Sequence, residues 1–107
     1  MAAPADTSSM NIFPGKDVFR LKDEVGLPFA IAFGECVKND LMIDWVGLLE
    51  EARAKGWWDY QTIEAIDEAF ADSQAWPDKR GEIMRRIRAY VVLRPHPGLS
   101  VGALQHA

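Results

Sequence analysis

Histidine and cysteine are the scarcest of the chemically versatile residues in this chain of 107, which has two of the first and one of the second. A single cysteine, Cys36, excludes an internal disulfide framework and a thiolate cluster for zinc, and it points to a reducing, cytoplasmic setting. Both histidines, His96 and His106, fall beyond the last expected helix, so no core holds either one as a general base or metal ligand. The chain also lacks a P-loop, a G-x-G-x-x-G and an H-E-x-x-H, the patterns that cradle phosphates or bind catalytic zinc. Its most apolar stretch, VGLPFAIAFGECV at residues 25–37, is well short of the ~20 residues a membrane helix needs. MAAPADTSSM, the opening segment, carries neither the basic nor the apolar region of a signal peptide. These absences lead to the expectation of a cytoplasmic protein without membrane contact, metal or cofactor.

What is present is enough apolar residue, 49% of the chain, for one compact domain. We expect a flexible segment over residues 1–10, a helical domain over 11–94, and a loop and tail over 95–107. The expected architecture is all-α, a small bundle of four to five helices. Residues 12–25 give conflicting signals of strand and helix, bracketed by Pro14-Gly15 and Gly26, and lean helical. Phe29, Ala32, Phe33 and Cys36 then recur at helical spacing, and Ala30, Ile31 and Val37 predict that this helix is central and the most buried. A second helix is expected from an N-cap at Asp40, with Leu41, Trp45, Leu48, Leu49 and Ala52 inward and Glu50, Glu51 and Arg53 outward. The third spans Asp59 to about Asp72, with Ile63, Ile66 and Phe70 inward. The fourth starts at Pro77 or Asp78, buries Ile83, Met84, Ile87, Tyr90 and Val91, and stops at Pro95.

Between the second and third helices stands KGWWD. Gly56 suits a left-handed position after a helix, and the residue following it, Trp57, is expected to fold back on Ala52. With Asp59 as N-cap, Trp58 and Ile63 occupy the two positions of a hydrophobic staple. The link reads as a tight αα-hairpin over residues 56–59. A Trp57 left outside would instead serve as an anchor for a protein partner.

Catalysis needs convergent groups, and few are available. Cys36, on an apolar helix face, reads as a buried, inert thiol. The carboxylates lack the histidine that a helical di-metal site would pair with them. A helix-turn-helix is excluded because DYQTIEAIDEAFAD, which would be its recognition helix, carries five acids and no base.

Charge is the feature that stands out. The overall net of −4 divides into residues 39–76, with nine acids and two bases for a net of −7, and residues 77–94, with six bases and two acids for a net of +4. The expected function is a non-catalytic protein-interaction module, regulatory or inhibitory, that presents Glu50, Glu51, Trp57, Glu64, Asp67 and Glu68 to a partner with a basic surface. Small, acidic, motif-free helical proteins occur among phage and mobile-element inhibitors such as anti-CRISPR proteins, a likeness of class that no matched residue carries. The alternative is weak nucleic-acid binding through Arg80, Arg85, Arg86 and Arg88, opposed by the net negative field. Acidic and basic helices on one chain also allow self-association.

Overall fold

Residues 12–25 resolve their conflicting signals by forming both kinds of structure in turn. In the computed structural model, which describes residues 11–95, Asn11–Phe13 is a short strand, β1, and Gly15–Arg20 is helix α1. A π-helical turn, Leu21–Val25, prolongs α1. Gly26, at φ 84°, then ends it in a left-handed conformation that lets the Leu27 amide donate back to the Leu21 carbonyl. The expectations for residues 1–10 and for the tail bearing His96 and His106 lie outside the described residues.

Helix α2, Phe29–Lys38, follows Pro28 and buries the four residues that its spacing assigned inward. It is not buried all round, as Ile31 and Val37 are 50% and 44% exposed. A single apolar face is enough to seat it on the core, and its opposite face remains in solvent.

The second expected helix starts four residues later than predicted. Asp40 adopts a left-handed turn at φ 59°, and Leu41–Ile43 forms strand β2, parallel to β1 with Ile12 opposite Met42. Asp44 is the true N-cap of α3, Trp45–Ala54, and its carboxylate accepts from the Gly47 amide at 3.1 Å. A parallel pair needs a long crossover, supplied here by α1 and α2. Three-residue strands carry too little alternation to announce themselves, so Leu41 reads as the first residue of a helical stripe.

Gly15 permits a close approach of α1 to α3. A Cβ at this position would fall on the Asp44 carbonyl oxygen and the Leu48 amide nitrogen, so only glycine lets α1 lie this close to α3. Val18 and Phe19 are thereby fully buried in the shared core.

The hairpin forms as expected, by a modified route. Gly56 sits at φ 89°, its amide donates to the Arg53 carbonyl, and the Trp57 amide donates to the Ala52 carbonyl at 2.9 Å. Helix α4, Asp59–Ser73, has Trp58 rather than Asp59 as its N-cap, with the Gln61 side chain accepting from the Trp58 amide at 2.7 Å. Asp59 is therefore already helical, which removes the predicted Trp58–Ile63 staple.

Residues 76–79 form a turn, and α5 is Arg80–Leu93, starting later than the expected Pro77 or Asp78. The turn tucks Trp76 against Phe33, Trp45 and Phe70, with ring centroids 5.8–6.2 Å apart. The protein is thus a small all-α domain, with five α-helices and one two-stranded parallel sheet among the described residues.

Candidate interaction surface

Arg53, expected outward, turns inward at the hairpin, where its side chain is only 9% exposed. It makes two hydrogen bonds of 2.9 Å to the Asp59 carboxylate, donates to the Arg94 carbonyl at 2.6 Å and lies over the Tyr90 ring. The hydrogen bonds to Asp59 hold its guanidinium in the charged form, above the ordinary arginine value. One cation thus joins the end of α3, the start of α4 and the end of α5.

The predicted acidic site does not form one surface. Glu50 accepts a hydrogen bond from the Tyr90 hydroxyl, which raises the tyrosine above its ordinary pKa. Glu51 pairs with Arg20 at 3.4 Å and is largely covered. Asp67 pairs with Arg80 at 2.8 Å. Trp57 packs edge-on against Phe19 at 5.1 Å and lies 6.4 Å from Phe29, so it belongs to the core boundary. Of the six residues assigned to partner binding, Glu64 and Glu68 alone stand exposed with no described side-chain hydrogen bond or ion pair.

These two fall within a longer row. Tyr60, Glu64, Glu68 and Asp72 recur every fourth residue of α4, and all four are exposed, Tyr60 by 68%. Residues four apart stack along one ridge of a helix. Three carboxylates in such a row repel one another, and none of the three is neutralised by a described ion pair. Trp58, 45% exposed, stands at the N-terminal end of the same helix. The i, i+4 spacing of Tyr60 and Asp72 is readable in the sequence, whereas segment charge does not distinguish paired acids from unpaired ones.

The basic candidates separate in the same way. Arg80 is bound to Asp67 and lies over Phe70, while Arg85 and Arg86 both reach Glu82 of their own helix, at 3.7 and 2.7 Å. Arg88 is exposed.

Two further features complete the chemistry. Cys36 is buried, and desolvation, with Glu35 adding to it, raises its thiol above the ordinary value. Among the described residues, no three histidine, cysteine or acidic side chains are grouped so as to hold a metal ion, and no helix is long and apolar enough to cross a membrane.

A cleft of about 730 Å³ opens between α5 and the wall formed by the sheet and the start of α3. Ile83, Ile87 and Tyr90 of α5 line it, together with Ile12 of the sheet and Val46 and Leu49 of α3. Its walls come from segments far apart in the chain, so no local pattern could have revealed it.

The fold and the ridge define a class of molecule, a small helical domain with an unneutralised acidic face. Comparison of the chain with protein-family models, with curated proteins and with solved structures finds no match.

Proposed function

We propose that this protein is a non-catalytic interaction module, regulatory or inhibitory, that docks the ridge of α4 onto a basic surface of a protein partner. The observation that supports this reading is the row Tyr60, Glu64, Glu68 and Asp72, exposed and without neutralising cations among the described residues. Like charges four residues apart destabilise a helix by a few tenths of a kcal/mol per pair. A fold indifferent to the row gains nothing from it, whereas a cationic partner would relieve the repulsion. Tyr60 supplies the aromatic contact that acidic steering alone does not provide. A partner that binds nucleic acid offers the matching basic groove, and small, acidic helical proteins occur among mobile-element inhibitors such as anti-CRISPR proteins, a likeness of class alone. Nucleic-acid binding by α5 has less support, because Arg80, Arg85 and Arg86 already face carboxylates of this chain.

Affinity capture from the native host tests the reading, with wild type compared against a variant carrying Glu64→Lys, Glu68→Lys and Asp72→Lys. We expect the variant to keep its helical circular dichroism and to lose the partners that wild type captures. Equal capture by the two proteins would refute the ridge as the docking face.

A further inference from the structure

We propose that α5 is a latched arm, which leaves the rest of the domain as one unit and turns about Trp76.

The inference starts with how little holds the helix. Ile83, Met84 and Ile87 are buried, and no residue of α5 after Ile87 is. On the side that faces α3 and the sheet, the cleft of about 730 Å³ takes the place of packing. Polar ties at the two ends supply much of the rest. At the start, Arg80 meets Asp67 at 2.8 Å, with the two side chains 38% and 48% exposed. At the end, Tyr90 donates to Glu50, and the Arg94 carbonyl accepts from Arg53 at 2.6 Å. An element with few buried apolar contacts opens at a lower free energy than the core around it, as one cooperative piece.

The link that joins α4 to α5 is strained. Gln74 and Trp76 sit at φ 56° and 45°, in the left-handed region. Gln74 closes α4 there, at a position where glycine is usual. An aromatic residue in this region is an outlier that persists only where its surroundings hold it. For Trp76 those surroundings are the rings of Phe33, Trp45 and Phe70. Rotation about the N–Cα bond of Trp76 carries its Cβ along, so relaxing the backbone draws the ring out of that cage. The Trp76 carbonyl in turn accepts from the amides of Lys79 and Arg80, each at 2.9 Å, so the same backbone sets the direction of α5. Seating the ring and docking the helix are therefore one event. Withdrawing the ring relieves the strain and frees the arm.

The two states differ in surface as well as in shape. The open one uncovers Ile83, Met84 and Ile87, and it takes Arg80 away from Asp67 beside the α4 ridge. A ligand that prefers either surface shifts the balance, which is what makes such an equilibrium a switch.

Hydrogen exchange of the full chain, followed amide by amide by NMR in buffer and in low urea, tests the proposal. Residues 84–91 should exchange as a group, about a hundredfold or more faster than residues 33–36 of α2 and 66–70 of α4 once intrinsic rates are removed. Their protection should also fall less steeply with urea, because opening the arm exposes less surface than unfolding the domain. Trp76→Gly and Trp76→Ala both lose the ring, but only glycine takes the left-handed backbone without strain. The α5 amides should therefore be about fivefold better protected in the glycine variant, the reverse of the order expected at an ordinary φ. Equal protection of α5, α2 and α4 in wild type, stepwise fraying from Leu93 inward in place of a common opening, or an alanine variant as well protected as the glycine one would each overturn the proposal. Partner capture through α4 enters none of these readouts, so either idea can fail without the other.

Discussion

Arg53 joins three elements through one side chain, contacting Asp59, the Arg94 carbonyl and the Tyr90 ring. Its guanidinium is nearly covered and bonded to both oxygens of Asp59, a group itself only 19% exposed. Arg53→Ala leaves that carboxylate without its cation, and we expect a loss of about 2–3 kcal/mol in urea unfolding. Tyr90 shows its effect through pH. Its hydrogen bond to Glu50, with burial and the Glu50 charge, raises the folded-state pKa, while Arg53 and Arg94 oppose the shift. The resulting stability is fully present below about pH 10, the ordinary tyrosine value, and is lost as pH rises through the raised one. Wild type should therefore lose more stability than Tyr90→Phe when both are titrated upward from about pH 9. Cys36 should react with an aromatic disulfide reagent orders of magnitude more slowly in the folded chain than in denaturant, because burial holds its thiol protonated.

Among the elements, α1 and α4 illustrate opposite pressures. α1 can lie against α3 because Gly15 has no Cβ, and Gly15→Ala would force the backbones apart. We expect a loss of about 2 kcal/mol or more, read as a fall in melting temperature, even though alanine is the better helix former. α4 carries a row of like charges that its own stability does not require. Glu68→Lys converts two repulsive spacings, to Glu64 and Asp72, into attractive ones, and should stabilise the fold by about 0.5 kcal/mol while weakening partner capture. A substitution that improves the fold and harms binding would separate the two roles of that helix. The strands show where sequence reading stops at this scale. Leu41 falls at helical spacing from Trp45 and Leu48, and the extended form of Leu41–Ile43 is paired with β1 beside it.

For the whole molecule, charge segregation should make partner association sensitive to salt, with the on-rate falling as ionic strength rises. Stopped-flow mixing with a captured partner would measure this. The same segregation explains why the site was only half legible. Charge along the chain marks residues 39–76 as an acidic region that contains Glu64 and Glu68. Yet Glu50, Glu51 and Asp67 meet Tyr90, Arg20 and Arg80 from distant segments, and no local count can show such pairing. By itself the sequence determined the helical class, the Gly56 hairpin and most of the buried positions on α2 through α5, because helical spacing and helix ends are local properties of a chain. Tertiary structure alone decided the parallel strands, the inward turn of Arg53, the cleft beside α5 and which acids remain unneutralised. Each of these depends on which side chains meet across long separations, and packing settles that.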